Sequence, residues 1–166
     1  EHIDKDLEAL NEIRRVLKKN GILVLPTTSI DHPFLWDPVN WLLMHLFNTH
    51  IKSGFFSGIW FNHNKLYKAP QFKKLIQKAG FEVELIEELT TRCLPFNHYL
   101  VNMVARLLYD ANLPANLTAP VSKFKNVPKP LWIRSAFFAV NLVDKLNELV
   151  PGKHGVNILV KARKPN

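Results

Sequence analysis

The chain has 166 residues, 47% apolar and 22% charged, with one cysteine and a net charge of +8 from 22 Lys and Arg against 14 Asp and Glu. That length corresponds to about one domain with a core of its own, and the composition excludes collagen, a disulfide scaffold and a low-complexity tail. Cys93 stands alone and favours a reducing, cytoplasmic compartment, no run reaches the roughly 20 apolar residues that span a bilayer, and no signal-peptide pattern opens the chain. The first residue is Glu1 rather than Met, which points to a processed chain or to a piece of a longer one.

Residues 4–20 read as an amphipathic helix, because Leu7, Leu10, Ile13, Val16 and Leu17 recur at three- and four-residue spacing. Asp4 is the expected cap, and Asn20-Gly21 supplies a left-handed stop. Ile22-Leu23-Val24-Leu25 is apolar without alternation, the pattern of a strand covered on both faces. Residues 31–68 then break the α/β rhythm as an aromatic-rich helical insertion, carrying 9 of the 18 aromatics between Phe34 and Tyr67. Asp37-Pro38 pairs a capping side chain with a proline at the first helical position, so a helix is expected from Val39 to about Thr49.

Phe72, Leu75, Ile76 and Ala79 predict a helix from near Pro70 to Gly80. Phe81, Val83 and Leu85 predict a strand exposed on one side, near a sheet edge. Helices are expected at 96–111 and, long and apolar, at Leu131–Val150, within a helical segment at about 96–150. A Pro-punctuated loop separates them, and a last strand follows at Val156–Arg163.

Two stretches are basic and free of acids: 38–81, with six Lys, and 111–143, with Lys123, Lys125, Lys129 and Arg134. Such faces suit phosphate, a lipid head group or an anionic ligand, or simply solvate a surface. Beyond charge there is no nucleic-acid signature.

Three blocks resemble one family. Glu1-His2-Ile3 with Glu12-Ile13-Arg14-Arg15-Val16-Leu17-Lys18-Lys19-Asn20-Gly21-Ile22-Leu23-Val24-Leu25 is similar to the middle of class I S-adenosylmethionine-dependent methyltransferases. Leu75-Ile76-Gln77-Lys78-Ala79-Gly80-Phe81-Glu82-Val83 resembles their helix-to-strand block, and Val156–Lys164 their closing strand. The resemblance implies that residues 1–166 are the C-terminal, substrate-side half of a doubly wound Rossmann-like α/β domain. Its last strand would lie antiparallel between two strands that run parallel to each other, accompanied by the long apolar helices. The Gly-rich turn that holds S-adenosylmethionine would precede Glu1 in the complete protein, since this chain has no G-x-G.

The resemblance further implies that Glu1 and His2 lie near the cofactor, where some members with a further Glu upstream bind a divalent metal; here His2 is read as a candidate general base, against local packing or hydrogen bonding. Thr27 and Thr28 follow the first strand at the carboxyl end, where open α/β sheets bind ligands. Together with His32, Trp36 and Trp41 they are the candidate acceptor-binding residues, against plain loop or packing roles. His45, His50, His63, His98 and His154 show no zinc-type spacing and are read as structural, so no metal site is assigned.

The expected activity is methyl transfer to a bulky, partly apolar small molecule or lipid-like acceptor, with peripheral membrane contact. The alternatives are a non-enzymatic module binding a membrane surface or an anionic ligand, and an inactive methyltransferase-like subunit. The outer edge of Ile22–Leu25 is expected to invite strand pairing with a second copy, giving a homodimer.

Overall fold

The computed structural model describes residues 1–96, 98–99, 131–150 and 152–166. The expected helix at 96–111 and the proline-rich loop after it lie outside them, apart from Phe96, which is a turn residue with φ 58°, and the helical pair His98 and Tyr99. The described elements are α1 (Asp6–Val16), β1 (Ile22–Thr28), α2 (Pro38–Phe47), a 3-10 segment (Phe55–Trp60), α3 (Ala69–Lys78), β2 (Glu82–Leu89), α4 (Leu131–Leu149) and β3 (Asn157–Arg163). They make a mixed α/β structure around a small antiparallel sheet of three strands, in the order β1-β3-β2.

The closing strand β3 is central and antiparallel to both neighbours, so β1 and β2 run the same way, as expected. β1 pairs with β3 from Ile22↔Arg163 to Thr28↔Asn157, without a break. β2 pairs from Glu82↔Arg163 to Leu89↔Asn157, with a bulge between Val83 and Leu85. Alternation along β3 puts Ile158, Val160 and Ala162 on one face, all buried. On them pack Leu10 of α1, Phe72 and Ile76 of α3, and Ala79 and Phe81 from the turn that follows. That is the main core.

Two local expectations change. α1 is shorter at both ends than 4–20, and Lys5, not Asp4, sits at its N-cap position, without a side-chain cap bond. Asp4 is occupied elsewhere: its carboxylate accepts Asn64 Nδ2 at 3.0 Å. Second, among the described residues β1 is covered on one face, where Leu23 and Leu25 pack with α1 and α3. Ile22 and Val24 are 46% and 54% exposed. β1 also runs through Pro26 to Thr28, which an edge strand tolerates because a missing N–H there breaks no central ladder.

Asp37 caps α2 as expected, accepting Asn40 N–H at 3.1 Å, with Pro38 in the first turn. Residues 31–68 carry α2 and the 3-10 segment, and their Ile59, Trp60 and Leu66 form a second apolar cluster with Val156 from just before β3, against which Trp36 and Met44 pack. The helix expected at Leu131–Val150 is present as α4, but its apolar side chains Leu131, Phe138, Leu142 and Leu149 are exposed among the described residues. Asn147 ties it to the end of β2 by accepting Arg92 N–H at 2.7 Å and donating to Arg92 O at 3.0 Å. No helix among the described residues is long and apolar enough to cross a membrane.

Candidate functional site

The carboxyl end of β1 brings together residues from both ends of a long sequence separation. Thr27 and Thr28 are buried there. The Glu1 carboxylate bends back onto them, its Oε2 accepting the Thr27 hydroxyl at 2.7 Å and Thr28 N–H at 2.5 Å. Burial pushes the Glu1 carboxyl up, but these donors outweigh it and hold it below the usual carboxylate range. The ionised form of Glu1 is therefore favoured, and its Oε2 is held by the two threonines.

A third segment completes the group. Tyr67 pairs with the end of β1, its N–H bonding Thr28 O at 3.2 Å and its carbonyl accepting Ile30 N–H at 2.9 Å. That pairing carries the loop 61–66 over the N-terminal segment. Asn64 N–H then donates to Glu1 O at 2.9 Å, and Asn64 Nδ2 to His2 O at 3.1 Å. Asp6, in the first turn of α1, accepts the Tyr67 hydroxyl at 2.6 Å and Lys65 Nζ at 3.0 Å.

The clamp sets His63 beside His2, with ring centroids 4.8 Å apart. His2 Nε2 lies 3.6 Å from Glu1 Oε1, and His63 Nε2 lies 3.9 Å from the same oxygen. His2 is the exposed member, at 58%, against 17% for His63 and 19% for Glu1. A cleft lined by Glu1, Ile3, Asp6, Leu10, Leu25 and Thr27 opens alongside, apolar except at this end. Two imidazoles beside a carboxylate that lines the cleft can exchange a proton with a bound molecule.

Of the residues expected from the sequence, Glu1, His2, Thr27 and Thr28 meet here. The threonines serve as the anchor of Glu1. His32 is buried near Asp37 and the backbone of Ile30, and neither of its ring nitrogens makes a hydrogen bond of good geometry among the described residues. Burial lowers its pKa, and the nearby Asp37 charge opposes that only in part. Trp36 packs against the second apolar cluster and faces His98 at 5.7 Å. Trp41 stacks on His45 at 3.8 Å and meets Phe34 edge-on at 5.3 Å.

His63 is the residue that sequence reasoning missed. It stands 61 positions after His2, so no motif spacing links the two. The one local signal is the polar run Asn62-His63-Asn64 set in an aromatic stretch, with Asn62 in the left-handed region at φ 60°.

S-adenosylmethionine does not fit these residues alone. The six glycines form no G-x-G turn. Glu1 Oε2, the atom nearest the strand end, is already filled by Thr27 and Thr28.

No protein-family model matches the chain, and no curated protein matches it. Among solved structures it is similar to a "putative methyltransferase" from Bacillus halodurans C-125, with 20% identity and a TM-score of 0.46 over 99% of this chain and 60% of that one. The chain thus spans about 60% of the length of that solved protein.

Proposed function

We propose that this chain is the acceptor-binding part of an S-adenosylmethionine-dependent methyltransferase, with the grip on the methyl donor supplied by residues preceding Glu1 in the complete protein. The observation that supports this is the reversed strand β3 lying between β1 and β2. The family resemblance requires that arrangement of its last three strands. Glu1 and Thr27 then mark the carboxyl end of a sheet strand, where ligands of open α/β sheets bind.

Methyl transfer from a sulfonium needs in-line placement and, for oxygen or nitrogen acceptors, loss of a proton. In this reading the chain's own residues place the acceptor and handle its proton. His2 has Nδ1 against Asn62 O at 2.7 Å, leaving Nε2 to accept the proton beside the Glu1 charge. Trp36 and Trp41, both partly exposed, are assigned to the acceptor side from the 31–68 segment, which the fully buried His32 supports from within. A bulky, partly apolar or lipid-like acceptor is favoured by the exposed Leu42, Leu46, Phe47, Phe55 and Phe56.

Calorimetric titration with S-adenosylmethionine tests the division of labour. The isolated chain gives no binding heat, whereas the chain extended upstream by its own reading frame does. Tight binding by the isolated chain, or none by the extended one, sinks the proposal.

A second reading is a peripheral membrane module of the cytoplasm, without catalysis. It is favoured by the same exposed apolar side chains, with Lys52 among them in the chain. It predicts salt-sensitive co-sedimentation with anionic vesicles by this chain alone. An inactive methyltransferase-like subunit would lack both activities. As an outer strand of the described sheet, β1 is proposed to pair with a second copy, which size-exclusion chromatography reads as a dimer.

A further inference from the structure

We infer that the C-terminal end of α2 and the 3-10 segment form a docking surface for an anionic lipid bilayer, with Leu46, Phe47, Phe55 and Phe56 entering the boundary between head groups and acyl chains. This surface presupposes the peripheral-membrane reading of the chain, not methyl transfer. It adds which part of the fold meets the bilayer, which side chains enter it and which lipids they need.

α2 is packed inside out. A helix that is apolar on nearly every side is ordinarily buried in a core or a membrane. In α2 the buried residues are Pro38 and Asn40. Leu42, His45 and Leu46, at i, i+3 and i+4, share an outward face, and Phe47 follows them. Leu46 is 67% and Phe47 69% exposed.

The polar contacts lie on the inner side. Asn40 accepts Ile51 N–H at 2.8 Å and donates to Phe56 O at 3.0 Å and Ser57 O at 3.1 Å. Asn48, left-handed at φ 49°, turns the chain at the helix end, and Thr49 N–H bonds Leu43 O at 3.2 Å. These bonds hold residues 51–57 beside α2 and satisfy backbone groups that a bilayer could not. Phe55 and Phe56, edge to face at 5.1 Å, are thereby kept in the open. The apolar side chains are thus presented already ordered, which lowers the cost of binding.

Exposed apolar side chains grouped in this way mark an interaction surface, and charge selects what covers it. Residues 38–81 hold six lysines and no acid. Lys52 is exposed, with Nζ 5.7 Å from the centre of the Trp60 ring. Asp37, which starts α2, is fully buried and accepts Asn40 and Ile59 N–H groups inside. Leu and Phe beside Lys match the two layers of an anionic bilayer surface, acyl chains below and phosphates above. A second copy about a two-fold axis would instead set one set of lysines against the other.

The test uses the whole chain with Cys93→Ser and one new labelling site, either Phe47→Cys or, on the exposed side of α1, Asn11→Cys. Each carries an environment-sensitive fluorophore. Vesicles are of phosphatidylcholine alone or mixed with phosphatidylglycerol. The label at position 47 is expected to shift to the blue with the anionic vesicles only, and the label at position 11 with neither. In unlabelled protein, Leu46→Glu combined with Phe47→Glu lowers co-sedimentation at least about tenfold. Lys52→Gln lowers it about fivefold at low salt. All three side chains are exposed, so far-UV circular dichroism is expected to match wild type. Vesicle binding that leaves the label at position 47 in water keeps the membrane reading and overturns this surface. No co-sedimentation with any vesicle overturns both. A label shielded before vesicles are added, or a dimer that Phe47→Glu dissociates, gives the patch to the chain itself or to a second copy and also overturns the inference.

Discussion

Asp37→Ala removes one carboxylate that serves three segments. Asp37 is fully buried and accepts Asn40 N–H at 3.1 Å, Asn40 Nδ2 at 2.9 Å, Ile59 N–H at 2.8 Å and the Tyr99 hydroxyl. Loss of the cap alone costs about 1 kcal/mol. The Ile59 and Tyr99 donors are left buried without an acceptor, at about 1–3 kcal/mol each. Relief of the desolvated charge offsets part of this, so the net destabilisation is about 3–4 kcal/mol. That is a large share of a typical domain stability of about 5–15 kcal/mol. Urea unfolding followed by tryptophan fluorescence reads it directly, because Trp60 adjoins Ile59. Tyr99→Phe, which keeps the ring, loses about 1.5–3 kcal/mol. A loss below about 1 kcal/mol for Asp37→Ala means that the cap is its whole role and refutes the reasoning.

Other outcomes follow from the same packing. Gly58 has φ +51°, and an added Cβ would come 1.9 Å from Asp37 Oδ2, so Gly58→Ala destabilises by about 1–3 kcal/mol or more in the same urea assay. Equal stability would remove the Asp37–Gly58 contact from the account. Ile158→Ala, at a fully buried central-strand position, costs about 2–5 kcal/mol. Ile22→Ala, half-exposed on the outer strand, costs less than about 1 kcal/mol; similar losses for both would mean that β1 is covered in solution. The lowered pKa of His32 means that the unfolded chain takes up its proton first. Stability is therefore full above the ordinary value of 6.5 and falls as pH drops through it toward the folded pKa. In His32→Leu that part of the pH dependence disappears; an unchanged profile assigns it to other groups.

What the sequence determined by itself is local. Three- and four-residue spacing placed α1 and α3, and Asp37-Pro38 announced the start of α2, because capping and periodicity depend on neighbours within a turn or two. Alternation at Val156, Ile158 and Val160 marked one buried face of β3, and the family resemblance supplied the strand order. Non-alternation in Ile22–Leu25 misled, because an apolar run reports what a strand can bury and not what is there to cover it.

The tertiary structure alone decided which side chains meet. The link between Tyr67 and the end of β1 steers the 61–66 loop, and with it His63, onto Glu1 and His2. Asp37 likewise gained Ile59 and Tyr99 beyond its own helix. Such convergence depends on the path of the loops between elements, which is set by packing over the whole sheet. No spacing rule within one segment carries that information.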